Sequence, residues 1–298
     1  MKHLITDIQR FSLNDGPGIR TTVFFKGCNM RCTWCHNPET LSMDRDILFY
    51  SSKCIGCGKC FGVCPTGAQR MVDGKHVIDR ELCTRCGKCA EVCYAEAMVV
   101  GGTEMSVEDI MCEVSQDKAY YDASGGGVTL SGGEVLCHTD FALKLVRACH
   151  AEGIKVGIES NLSFPYEHIK PLLNEVDIIM ADIKLFDDEA HKKYTGISNK
   201  NVLDNIKKIS DLPLIVRTPL IPHVTATKEN LSQIASFLCG KKNLVYYQLL
   251  NFNPLGASKY ESLDAHNDFA DARPFDDSQM EFFGKCACRE GVKVKVGE

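Results

Sequence analysis

What this 298-residue chain lacks narrows its class before any motif is considered. No stretch approaches the roughly eighteen uninterrupted apolar residues that a membrane-spanning helix needs. The opening Met1-Lys2-His3-Leu4-Ile5-Thr6-Asp7 reaches charged side chains without the apolar centre of a secretory leader. A cytoplasmic protein with no membrane partner is therefore expected. Positive charge is not in excess either: 34 Lys and Arg stand against 39 Asp and Glu, for a formal net charge of -5. Such a balance offers no broad basic face to a nucleic acid or an anionic lipid. Tryptophan occurs once, at Trp34.

Cysteine is the opposite case, with 17 in the chain. An odd number crowded into CxxC-type spacings, without a secretory signal, points to metal rather than to a disulfide framework. Eleven of them fall before residue 94, as Cys28, Cys32 and Cys35, then Cys54, Cys57, Cys60 and Cys64, then Cys83, Cys86, Cys89 and Cys93. The last two groups repeat one spacing with a period of 29 residues. Thiolates in such numbers suit iron–sulfur clusters and a reducing, oxygen-poor habitat. Cys112, Cys137, Cys149, Cys239, Cys286 and Cys288 read as small buried apolar residues or idle thiols.

From Val128 onward, short β-branched runs alternate with helical patterns. Strands are expected at Thr21 to Lys26, Val128 to Leu130, Lys155 to Glu159, Asp177 to Ile183, Leu214 to Arg217 and Val245 to Leu250, with helices such as Phe141 to Ala151 and Asn230 to Leu238 between them. The expected fold is α/β, a partial barrel of six β/α units whose functional residues gather at the C-terminal strand ends. A doubly wound open sheet is the alternative. Residues 1–49 would start the barrel and carry the first cysteine loop, 50–100 would form a cysteine-rich insert, and 101–298 would complete the barrel.

Three cysteines cannot fill a four-iron cluster, so Cys28, Cys32 and Cys35 would leave one iron open to a further ligand. A Cys3His zinc site using His36 is the alternative on spacing. The insert carries Cys-x2-Cys-x2-Cys-x3-Cys twice, as bacterial two-cluster ferredoxins do, where the fourth cysteine of each run serves the other cluster. One cluster would then use Cys54, Cys57, Cys60 and Cys93, and the other Cys83, Cys86, Cys89 and Cys64. A zinc ribbon accounts less well for the x3 step.

Around the first loop stand Asp15-Gly16-Pro17-Gly18-Ile19-Arg20, Phe24, Gly27-Cys28 and Asn37, with Ser131-Gly132-Gly133-Glu134 downstream. With these elements the sequence resembles the activating enzymes of glycyl radical enzymes, a branch of the radical S-adenosylmethionine (SAM) superfamily. The resemblance runs from Ile8 to about residue 256 and includes the bacterial-ferredoxin-like insert. It implies an oxidoreductase with three 4Fe–4S clusters. Such an enzyme cleaves SAM reductively to methionine and a 5′-deoxyadenosyl radical, which takes a hydrogen from a backbone glycine of a partner glycyl radical enzyme. A reduced flavodoxin or ferredoxin is implied as electron donor.

The resemblance also distributes roles. Gly132, Gly133 and Glu134 would hold the methionyl amino group, and Asp182 and Lys184 would help bind SAM. Glu159, Ser160, Asp182 and the Met180 carbonyl would form a monovalent-cation site. Arg217 would address the cofactor's carboxylate or ribose, and Trp34 would pack near its adenine. Asn253 stands at a position usually held by histidine, where it can hydrogen-bond but carry no charge. Asp15 and Arg20 would face the substrate peptide. Plainer alternatives are a strand-to-helix loop at Ser131–Glu134, an ion pair at Asp182–Lys184, a structural arginine at Arg217 and a core tryptophan at Trp34. As whole functions, a radical SAM enzyme acting on a small molecule or other peptide and a ferredoxin-like electron carrier are the alternatives. The DGPGIR element speaks against the first, and the SGGE turn with the Asp–Lys pair against the second.

Overall fold

The computed structural model describes residues 2–297. In chain order its strands are β1 (His3–Ser12), β2 (Arg20–Phe25), β3 (Asp46–Phe49), β4 (Gln69–Val72), β5 (Lys75–Ile78), β6 (Met98–Gly101), β7 (Thr103–Met105), β8 (Gly127–Gly132), β9 (Val156–Ser160), β10 (Ile178–Asp182), β11 (Leu214–Pro219), β12 (Leu244–Leu250) and β13 (Val294–Val296). Nine of these make one sheet in the order β13-β12-β11-β10-β9-β8-β2-β1-β7. From β2 to β13 the neighbours run parallel, joined by helices, and β1 turns antiparallel onto β2 with β7 antiparallel to β1. The six expected strands are all present within about two residues of their expected ends. Added to them are β1, β7 and β13, and the two edges of the sheet, β7 and β13, do not pair with each other.

Alternation along each strand divides the sheet into two unlike faces. Val128, Leu130, Val156, Ile158, Ile179, Ala181, Val216 and Leu249 are fully buried and pack on helices Thr139–Ala151, Tyr166–Leu173, Lys200–Lys208 and Lys228–Leu238. Each such side chain contributes about 1.5–3 kcal/mol by leaving water. The helices answer with their own apolar stripes, Phe141, Leu145 and Cys149 on one and Leu231, Ile234 and Leu238 on another. The residues between are polar: Thr129, Ser131, Glu159 and Arg217 bond to one another or to the loop before β2.

The cysteine-rich insert leaves and rejoins this body through β3 and β6, antiparallel partners from Asp46 opposite Gly101 to Phe49 opposite Met98. Its stem thus begins at Asp46, ahead of residue 50. A second hairpin pairs β4 with β5 around Asp73-Gly74, whose φ values of +51° and +73° form a tight turn that matches strand twist. The sequence duplication reappears in the backbone: Gly58 and Gly87 each take a left-handed φ just before the short helices Lys59–Val63 and Lys88–Glu91. Among the described residues, no helix is long and apolar enough to cross a membrane.

Candidate active site

The loop that follows β2 carries the first three cysteines and is stitched down by its backbone. Gly27 N donates to Thr40 O at 2.7 Å, Arg31 N to Thr195 O at 2.8 Å and Thr33 N to Tyr194 O at 3.0 Å. Lys26, wholly buried just before the loop, donates Nζ to Asp46 Oδ2 at 2.7 Å and to the Glu39 carbonyl. Cys28 is buried and Cys32 and Cys35 are half-buried. Burial pushes all three thiols up, Cys35 to about 12, and the nearby Glu134 carboxylate adds to the effect at Cys28. Such thiols give up their protons on binding metal. Among the described residues no three His, Cys, Asp or Glu side chains stand arranged to hold a single ion.

Gly132 and Gly133 let β8 end hard against this loop. Gly133 N donates to Phe25 O and Glu134 N to Gly27 O, both at 2.8 Å. A Cβ on Gly133 would come within 2.7 Å of the Thr40 carbonyl oxygen and closer still to that of Gly27. In this structure the close approach the glycines allow is to backbone. Glu134, 2% exposed, accepts from Ser160 Oγ at 2.7 Å and Leu136 N at 3.0 Å through Oε1, and from Asn161 N at 2.7 Å through Oε2. Burial raises its pKa to about 7 against the pull of those donors.

Glu159 accepts from Ser131 Oγ at 2.6 Å and forms an ion pair with Arg217 Nη1. Burial raises its pKa, with Arg217 opposing. Arg217 Nη2 reaches the Asn14 carbonyl at 2.6 Å, while its Nε is buried without a partner. The expected cation ligands are thus engaged separately, Glu159 by Ser131 and Arg217 and the Ser160 hydroxyl by Glu134. The Met180 side chain packs among Ile178, Ile215 and Tyr246. Lys184 donates to Asp182 Oδ2 at 2.5 Å. Burial works against its charge, but Asp182, Cys32 and Cys28 outweigh it and raise the pKa.

The segment before β2 is held from the same inner face. Asp15 accepts from Thr22 Oγ1 at 2.6 Å, and its carbonyl accepts from Thr129 Oγ1 at 2.7 Å. Arg20, expected at the peptide, is 2% exposed and spends its guanidinium inside the fold, donating to Thr129 Oγ1 at 2.5 Å, Val128 O at 2.6 Å and Pro17 O at 3.2 Å. Burial draws its pKa down to about 10. Its bond to Pro17 O ties down the Gly16-Pro17-Gly18 turn. Trp34 joins a small apolar cluster with Leu185, Ile221, Val224 and Phe252 that touches Cys32. Asn253 caps a short turn, Oδ1 accepting from Leu255 N at 3.0 Å.

With this geometry in place, comparison with known proteins is decisive. The model of the radical SAM superfamily matches residues 22–237. The (2S)-3-sulfopropanediol dehydratase activating enzyme of Klebsiella oxytoca is 41% identical, with 87% of this chain and 85% of that protein aligned. The indoleacetate decarboxylase activating enzyme of Tractidigestivibacter scatoligenes is 36% identical over 99% of this chain and 98% of its own. The benzylsuccinate synthase activating enzyme of Thauera aromatica is 42% identical over 87% and 81%. This chain belongs to the radical SAM activating enzymes. Membership in that family implies a 4Fe–4S cluster and SAM. The residues present fit both: three thiols in one loop, a buried carboxylate, a buried lysine, and a buried arginine Nε that the fold leaves unpartnered.

This radical SAM chain has further thiols in its insert, and they fall into two sets. The Cys60 thiol senses Cys54, Cys57 and Cys93. Cys64, Cys83, Cys86 and Cys89 line one small pocket beside Ile47. Of the remaining cysteines, Cys149 and Cys286 are buried, Cys112, Cys239 and Cys288 exposed, and Cys137 intermediate. Two residues near the cysteines escaped the sequence argument. Lys26 had a signal, a lysine ending the apolar run Val23-Phe24-Phe25. His76, beside Cys54 and Cys60, had none.

Proposed function

We propose that this chain reductively cleaves SAM in order to remove a hydrogen atom from a backbone glycine of a separate glycyl radical enzyme. The observation that carries this is Lys184, which pairs with Asp182 at the strand ends and at the same time senses Cys32 and Cys28 in the loop. A ligand held at the rim therefore meets the thiols. Relatives that align over nearly the whole chain and carry the name of activating enzymes support the reading.

Bound at Cys28, Cys32 and Cys35, a 4Fe–4S cluster supplies the single electron and an open iron for SAM. Every other part falls to this chain's side chains. Glu134 receives the ammonium of the methionyl group, a charge-assisted contact stronger than a neutral one. Asp182 and Lys184 take polar groups of the same ligand, and Arg217 offers the Nε that its own fold leaves over. The Trp34 cluster keeps water from the side of Cys32. Asp15, locked by Thr22 and Thr129, holds the turn past which a glycine loop enters, and glycine suits such an entry because it brings no Cβ.

In the insert, Cys54, Cys57, Cys60 and Cys93 hold a second cluster and Cys83, Cys86, Cys89 and Cys64 a third, as in a bacterial ferredoxin. A reduced flavodoxin or ferredoxin in the cytoplasm feeds them. The test mixes the reduced enzyme with SAM and a candidate glycyl radical enzyme, and records the paramagnetic resonance spectrum. A doublet that collapses when the target glycine carries deuterium at its α-carbon is expected. Cleavage with no protein radical, accelerated instead by a small molecule, would overturn the assignment.

A further inference from the structure

His76 stands between two ligand cysteines of the insert. Its Nδ1 lies 3.9 Å from Cys54 Sγ and its Nε2 3.8 Å from Cys60 Sγ. The ring is fixed in that position. Gln69 Oε1 is 2.7 Å from Nε2, and the ring centroids of Phe49 and Phe61 lie 4.6 Å and 4.9 Å away. Gln69 is itself buried at the start of β4, and His76 sits on β5 across from Met71, so the tight Asp73-Gly74 turn sets the ring's height over the cysteines. Elsewhere in the insert no other histidine, lysine or arginine is recorded within hydrogen-bonding reach of a cysteine sulfur among the described residues. Cys64 meets the Thr66 hydroxyl at 3.7 Å and the backbone N–H groups of Thr66, Ala68 and Gln69.

We propose that His76 is a positioning residue that raises the reduction potential of the cluster held by Cys54, Cys57, Cys60 and Cys93. The inference rests on the insert holding two clusters. Whichever ring nitrogen carries the proton, an N–H faces a ligand sulfur, Nδ1–H towards Cys54 or Nε2–H shared between Gln69 and Cys60. A hydrogen bond to a ligand sulfur draws off negative charge, and the reduced cluster carries one more such charge than the oxidised one. The bond therefore favours reduction and raises the potential.

The experiment is a redox titration of the full, anoxically reconstituted chain followed by paramagnetic resonance. The cluster in question is identified as the signal lost in Cys57→Ala. His76→Phe fills the space between Phe49 and Phe61 without an N–H. Its expected result is a shift of that one signal to lower potential, with iron content and the other insert signal as in the unaltered chain. An unchanged potential in His76→Phe with full iron overturns the proposal. If His76→Phe loses iron, the titration moves to Gln69→Leu, which frees Nε2–H for Cys60 and is expected to raise the potential. No shift there overturns it equally. Failure of the underlying reading looks different: the unaltered chain would then bind about four irons in place of about twelve.

Discussion

Glu134 shows how far one side chain is determined by its surroundings. Its carboxylate is closed in by Ser160, Leu136 and Asn161, and burial lifts its pKa to about 7. The raised value means that the free enzyme holds a proton there below neutrality and has no charge to offer an ammonium. SAM affinity should therefore climb as pH rises through about 7, by roughly tenfold between pH 6 and pH 8. Glu134→Gln should bind weakly at both and show a flat profile; calorimetry on the reconstituted enzyme at the two pH values checks this. The placement of Glu134, Asp182 and Lys184 at strand ends was legible because each belongs to a motif that closes an apolar run. Arg20 belonged to a motif too, yet its burial was not legible, since nothing in the order of residues says that its guanidinium turns back onto Val128 and Thr129.

Among the elements, the six parallel strands were legible through their β-branched runs, whereas β7 and β13 are three residues long and leave no pattern to find. β1 is longer but mostly half-exposed or exposed, so its hydrophobic signal is weak. The polar inner face was also hidden. The strands read as mostly apolar runs, and the alternation that sets Glu159 beside Ser131 and Arg217 emerges only when neighbouring strands are in register. The junction of β8 with the cysteine loop is one of the tight contacts of this sheet. Gly133→Ala should push Gly27 and Thr40 aside and loosen the attachment of Cys28, so the variant is expected to fold yet lose most of about four irons. Iron analysis beside circular dichroism measures it; full iron content would show that the loop yields without cost.

For the molecule as a whole, the duplicated cysteine spacing is visible again in the backbone, where Gly58 and Gly87 take the same left-handed turn into a short helix. The insert's attachment was not legible, because the stem depends on single pairings: Lys26 with Asp46, Arg85 with Asp44 and Asp46, and Arg80 with Asp264 and the Ser262 carbonyl. Arg85 lies between Cys83 and Cys86 and reaches the same Asp46 that neutralises Lys26, two residues before Cys28. One carboxylate thus links the loops of two cysteine groups.

The pairing of Phe49 with Met98 makes the insert a detachable module spliced into a hairpin. Two strand ends that already face each other need only a two-residue turn, and Asn-Gly is the sequence that matches strand twist. A chain in which Asn-Gly replaces residues 50–97 should therefore fold, retain about four irons and still cleave SAM when a strong chemical reductant is supplied. Its turnover with a protein donor should collapse. Optical iron–sulfur absorbance and product analysis decide the matter. A shortened chain that holds no iron would mean that the barrel depends on its passenger for more than electrons.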